Sequence, residues 1–288
     1  MDTKDMDSSI ETPAASSAAA TPESRIAARL DRAFDLQDEG RLSDALLELE
    51  AALTEARAAP DGVEFQTRVM LAMELSDLYQ AAGDMEKARR TLAEETATAE
   101  KFFQSMVATG TLAQKRSAAG GLTQIRDRAT QAGLIGREAP EISIQTWINS
   151  EPLTLVELRG RVVLLEFWAT WCKPCQEMFP KLKRLHDEAG ERGLIVLSLT
   201  RHYFAQRDTA DSEAEELELI RKVVTDNKLE FPVGVAADER NQSLYGATGV
   251  PTLALIDRSG IVRYAHFSGG DEDERFNDIL NRCLDEQR

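Results

Sequence analysis

The stretch Trp171-Cys172-Lys173-Pro174-Cys175 follows directly on a mostly apolar run, Val162-Val163-Leu164-Leu165-Glu166-Phe167-Trp168. Two cysteines separated by two residues can close a disulfide only where the backbone turns between them, and a helix start supplies that turn. Pro174 suits the first helical turn because its missing N–H is not needed there. Cys172 then stands where unpaired backbone N–H groups and the helix dipole favour a thiolate over a thiol. The local fold is thus predicted as a buried strand running into a helix whose first residues carry a reactive sulfur. Two blander readings compete. A zinc site needs a second Cys or His pair at ligand spacing, but the remaining cysteine is Cys283 and the histidines His186, His202 and His266 are scattered. A purely structural disulfide is the other alternative, although so short a loop restricts little chain entropy. Redox chemistry is favoured over both, with no metal and no cofactor expected. Cys283 lies in a helical pattern with Phe276, Ile279 and Leu280 and reads as a small core residue.

At 288 residues the chain has room for two domains. Its formal net charge of −16 argues against nucleic acid or an anionic membrane surface as partner, because phosphate contacts need a basic face. No apolar run approaches the length of a membrane span. The first residues, Met1-Asp2-Thr3-Lys4-Asp5-Met6-Asp7, lack the basic and apolar regions of a signal peptide. As written, the chain is expected in the cytoplasm; an upstream signal outside this sequence would move the expectation to the periplasm or cell envelope.

Three regions follow from patterning. Residues 1–23 are rich in Ser, Thr, Ala, Pro and acidic residues and are expected to form a disordered tail. Residues 24–132 show helical periodicity with an internal repeat. Ala33, Leu36, Gly40, Leu42, Ala45 and Leu49 recur, shifted by 43, as Ser76, Tyr79, Gly83, Met85, Ala88 and Leu92. Each copy reads as helix, tight turn, helix. These positions resemble tetratricopeptide repeats with extra residues around 58–62, and Glu95 stands where that repeat has alanine; a generic pair of helical hairpins is the alternative. Residues 112–131 are expected to form a capping helix or a prop, interrupted at Gly120-Gly121. Residues 133–288 alternate strand-like and helical segments, the mark of an α/β sheet. Strands are expected near 142–146, 162–168, 194–199, 233–235, 252–256 and 261–266. Helices are expected near 174–189, 213–227, 240–245 and 271–285, and Asp257-Arg258-Ser259-Gly260 signals a hairpin turn.

This second region resembles the thioredoxin superfamily, and within it the TlpA/ResA-like disulfide reductases, over residues 134–288. The carriers are Gly136-Arg137-Glu138-Ala139-Pro140, Leu158-Arg159-Gly160-Arg161-Val162-Val163-Leu164, Phe167-Trp168-Ala169-Thr170-Trp171-Cys172-Lys173-Pro174-Cys175, and Tyr245-Gly246-Ala247-Thr248-Gly249-Val250-Pro251-Thr252. The resemblance implies an α/β thioredoxin fold behind an all-α helical-repeat domain. It further implies that Cys172 attacks a client disulfide and Cys175 resolves the mixed disulfide. Lys173 either favours the thiolate or is a plain exposed residue. Glu166 lies six residues before Cys172, where the thioredoxin pattern carries a buried acid; there it would take the Cys175 proton through a water, with a solvent-facing edge position as the alternative. Pro251 matches the family's cis-proline, and the Val250 backbone would pair with an extended peptide. Trp171, Lys173, Pro174 and Val250 form the implied substrate contact, while Trp168 reads more simply as core. One departure concerns the glutamate that ResA-like proteins often carry three positions after the second cysteine: Met178 stands there, with Glu177 one step earlier. Residues 201–216 form either a substrate-facing flap or a solvated insertion.

The expected function is a thiol–disulfide oxidoreductase acting on protein disulfides, recharged by an electron-donor thiol protein, with helical repeats that bind partners. Two alternatives remain. One is a helical-repeat scaffold whose thioredoxin-like domain docks but is redox-idle. The other is a thiol peroxidase, although the Pro and Thr that usually precede a peroxidatic cysteine are missing.

Overall fold

The computed structural model describes residues 21–204, 213–267 and 274–286. Its first part is built from α1 (Pro22–Asp38), α2 (Leu42–Ala58), α3 (Phe65–Ala81), α4 (Met85–Thr109) and α5 (Leu112–Leu134). The Thr21 hydroxyl caps α1 by accepting from the Ser24 N–H at 3.2 Å. Pro22 and Glu23, expected in the tail, therefore open the first helix; residues 1–20 of that expected tail lie outside the described residues. The ends of α1 and α3 are related by the same shift of 43 that the repeat shows. The paired positions Ala33/Ser76, Leu36/Tyr79, Ala45/Ala88 and Leu49/Leu92 are all buried. Small residues let the helices cross closely and the larger ones fill the space between.

Glu95, the unexpected acid of the repeat, is buried and bridges two helices. It accepts from Arg57 Nε of α2 at 2.7 Å and from Arg68 Nε of α3 at 2.5 Å. Replacing Glu95 by leucine leaves Arg68, itself only 18% exposed, without its carboxylate. The expected cost is about 3 kcal/mol, read as an earlier thermal unfolding transition.

The interruption expected at Gly120-Gly121 does not occur: α5 runs through both. A side chain at Gly121 would bring its Cβ to 2.5 Å from the Phe65 ring, so glycine here permits close crossing of α5 and α3. Arg89 of α4 holds the end of α5, donating to the carbonyls of Ala132 at 2.9 Å and Ile135 at 2.6 Å.

The second part is a mixed sheet in the order β1-β4-β3-β2-β5-β6. Its strands are β1 (Thr146–Ile148), β2 (Val162–Phe167), β3 (Leu194–Arg201), β4 (Val233–Ala236), β5 (Thr252–Ile256) and β6 (Val262–Phe267). β2, β3 and β4 are mutually parallel, while β1, β5 and β6 run antiparallel to their neighbours. The helices are α6 (Lys173–Ala189), α7 (Glu213–Asp226), α8 (Arg240–Tyr245) and α9 (Glu274–Asp285). The first strand lies later than the expected 142–146. The Ser143 peptide is instead held by Asn241, whose side chain accepts from its N–H at 2.9 Å and donates to its carbonyl at 2.8 Å. The hairpin turn forms as expected, with Asp257 Oδ1 accepting from the N–H groups of Ser259 and Ile261.

The pleat of β2 divides the core. Val162, Leu164 and Trp168 face one cluster with Cys172, Cys175, Phe179, Leu182, Phe276, Leu280 and Cys283. Val163, Leu165 and Phe167 face the other, with Tyr245, Ala254 and Ala265. The helical part meets this sheet through α3 and α5. Asp77 of α3 is bridged by Arg128 of α5 at 3.2 Å and by His266 of β6 at 3.2 Å, and Gln80 accepts from Arg275 of α9 at 3.2 Å. No helix among the described residues is long and apolar enough to cross a membrane.

Candidate active site

The chain leaves β2 at Phe167 and enters α6 at Lys173, with Cys172 as the residue that caps the helix. Pro174 sits in the first helical turn, where no N–H is required. Cys172 and Cys175 are joined as a disulfide, S–S 2.05 Å. Cys172 Sγ also accepts from the Cys175 N–H at 3.2 Å. After reduction the same N–H and the helix N-terminus are in place to stabilise a thiolate. Cys175 is fully buried and Cys172 is 3% exposed, so an incoming group meets Cys172 first.

Glu166 is fully buried in β2, between Ser198 of β3 and Leu253 of β5. Two strands, β4 and β1, lie beyond β3 and one, β6, lies beyond β5, which disposes of the edge-strand alternative. Its parity along β2 is that of Leu164 and Trp168, the face that packs on the cysteine helix. The Ser198 hydroxyl donates to Oε2 at 2.6 Å, while Oε1 has no protein partner among the described residues. Burial pushes the carboxyl up to about 8, with the Ser198 hydrogen bond acting in the opposite direction. A carboxyl in that range exchanges a proton near neutral pH.

The Val250-Pro251 peptide bond is cis, and Val250 packs against the cluster that contains both sulfurs. Trp171 is 57% exposed and stands edge-on to Tyr203, ring centroids 5.6 Å apart. Lys173 is 86% exposed and faces Glu177 at 3.6 Å, which favours the plain surface reading of this lysine. Trp168 is core, edge-on to Phe179.

Residues 135–265 match the model of the AhpC/TSA family. This part of the chain is a thioredoxin-like domain, similar over those residues to the AhpC/TSA family. The chain is 31% identical over 129 residues to the thiol-disulfide oxidoreductase ResA of Bacillus anthracis, covering 44% of this chain and 66%, just under two thirds, of that relative. It is 29% identical over 136 residues to the thioredoxin-like protein YneN of Bacillus subtilis, covering 46% of this chain and 70% of the relative. Among solved structures, a thioredoxin-like superfamily protein is 29% identical with a TM-score of 0.45, covering 52% of this chain and 97% of its own.

In this thioredoxin-like domain Met178 is buried in the core, and Glu177 points to solvent toward Lys173. Among the described residues no carboxylate just after the second cysteine enters the site, and Glu166 is the buried acid within β2 on the cysteine face. Sequence reasoning missed Ser198; its only signal was a hydroxyl inside an otherwise apolar run. It also left Tyr203 in an undecided insertion. The described start of that insertion is anchored: Glu216 accepts from the N–H groups of Tyr203 at 2.7 Å and Phe204 at 3.2 Å. Tyr203 is buried beneath Trp171, which excludes the solvated alternative for these residues, while residues 205–212 lie outside the described residues. Among the described residues no group of three or more His, Cys, Asp or Glu side chains converges as a metal would require.

Proposed function

We propose that this protein is a thiol–disulfide oxidoreductase that reduces protein disulfides through Cys172 and Cys175. The observation that carries the reading is the disulfide at the start of α6, on the same face of the sheet as a buried carboxyl that titrates near neutrality. The likeness of the domain to ResA supports it. In the reduced enzyme, the Cys172 thiolate attacks one sulfur of a client disulfide. A mixed disulfide forms and the other client sulfur leaves as a thiolate, which takes a proton from water. Glu166, ionised, accepts the Cys175 proton through an intervening water. The Cys175 thiolate then attacks Cys172 Sγ, the mixed disulfide breaks, and the second client thiolate leaves. Two electrons pass to the client and the Cys172–Cys175 disulfide remains. A dithiol protein, by the reverse exchange, restores the reduced pair.

The residues proposed as catalytic are Cys172, Cys175, Glu166 and Pro251. Trp171, Pro174 and Val250 form the contact surface, with Lys173 at its rim. The helical part, whose repeat resembles tetratricopeptide hairpins, is read as the partner-recognising half. Insulin reduction with dithiothreitol as donor tests the activity. The expected result is turbidity from the released B chain appearing well before that in the donor-only control. A time course equal to the control points to the scaffold reading, and peroxide consumption without insulin reduction points to the peroxidase reading.

A further inference from the structure

The 246–252 loop, which carries Val250 and Pro251, is held by the helical half as well as by its own domain. Asp127 of α5 accepts through Oδ2 from the Thr248 hydroxyl at 2.5 Å and from the Gly249 N–H at 3.2 Å. Gln131, one turn further on, donates to the Gly246 carbonyl at 2.5 Å. Gly246 has φ +59°, and a Cβ there would stand 2.3 Å from the Asp127 carbonyl oxygen, so loop and helix backbones are in direct contact.

Beside this contact lies a cavity of about 240 Å³. Met73 and Phe267 supply apolar walls, Gln124 and Arg128 stand on α5, and Asp127 and Thr252 close the side toward the loop. Gly249 and Thr252, both on its lining, bracket Val250-Pro251 in the chain. The charges are unevenly matched. Arg128 is already bridged to Asp77 at 3.2 Å and donates to Gln131 at 3.3 Å. Asp127 has its two hydrogen-bond donors but, among the described residues, no ion pair with a lysine or arginine.

We propose that the helical half forms one wall of the client groove, and that this cavity receives a lysine or arginine side chain flanking the disulfide of an extended client polypeptide. The inference rests on the disulfide-reducing reading above. A client strand paired with the Val250 backbone sends alternate side chains to either side of the groove, and one side is bounded by this cavity. The aliphatic stem of lysine or arginine packs on Met73 and Phe267 while its cationic head meets Asp127. The net charge of −16 draws the same class of client at longer range. Asp127 thus has two tasks: it positions the loop and it selects the side chain.

Two cyclic peptides separate these tasks. Each is closed by one disulfide, and they differ only by Arg or Glu beside one half-cystine. Reduction of each by the full chain is followed with dithiothreitol as donor. The Arg peptide is expected to show a kcat/KM about fivefold higher, the scale of a partly desolvated ion pair, with the difference residing in KM and shrinking with added salt. Asp127→Asn is expected to bring the ratio below about twofold. Any loosening of the loop slows both peptides together and leaves the ratio as the readout. Gln124→Trp, at the exposed rim of the cavity, is expected to raise KM for the Arg peptide without altering α5. Equal kcat/KM for the two peptides in the unaltered protein overturns the inference while leaving the redox reading intact, and so does an undiminished preference in both variants. Turnover of neither peptide overturns both.

Discussion

Replacing Cys172 by serine is expected to reduce insulin reduction to the donor-only rate. The serine hydroxyl keeps the helix cap, accepting from the residue 175 N–H as sulfur does at 3.2 Å, so the fold should survive. The chemistry does not, because an alcohol is not ionised at neutral pH and cannot form a disulfide. Cys175→Ser has a different expected outcome. The first attack proceeds, no buried sulfur follows, and the client remains covalently attached. Intact mass of the variant after exposure to a disulfide peptide reads the adduct directly, and reducing agent should release it. Residual insulin reduction in the Cys172→Ser protein at the rate of the unaltered chain would show that the pair is redox-idle. An adduct on Cys172→Ser rather than on Cys175→Ser would reverse the order of attack.

Glu166→Gln is expected to change how stability depends on pH. The folded carboxyl titrates at about 8, against 4.5 for the solvated side chain. The folded state therefore binds this proton more tightly than the unfolded chain does. Stability from the protonated carboxyl is fully present below pH 4.5 and is lost as pH rises toward 8. Within that window the slope from this one group is about 1.4 kcal/mol per pH unit. Denaturation of the oxidised protein at about pH 5.5 and about pH 7.5 should accordingly show the difference between Gln and Glu forms moving by about 3 kcal/mol in favour of Gln. An unchanged difference would place the Glu166 titration outside that range. The same substitution removes the proton acceptor for Cys175, so the mixed disulfide should resolve about 10²-fold more slowly, with the initial attack by Cys172 retained.

Much of the site was legible because it is local. A sulfur at the mouth of a helix, a proline in the first turn and an acid in an apolar strand are set by spacings of a few residues, and periodicity supplied the strands and helices that carry them. The repeat of 43 was equally readable, since each hairpin has the same burial pattern. The misplaced first strand had no such basis: Asn241, almost a hundred residues on, binds the Ser143 peptide that a ladder would otherwise use. Nor could composition reveal that Gly121 serves a helix crossing rather than a break.

The chain's own order of residues thus determined the kind of fold in each half and which two cysteines pair, because local pattern and short-range geometry encode both. Only the tertiary structure decided that Glu166 is sealed in mid-sheet with a raised affinity for its proton. It also decided that Asp127, more than a hundred residues earlier, grips the loop before Pro251. Burial and long-range contact depend on which surfaces pack together, and no spacing along the chain records that.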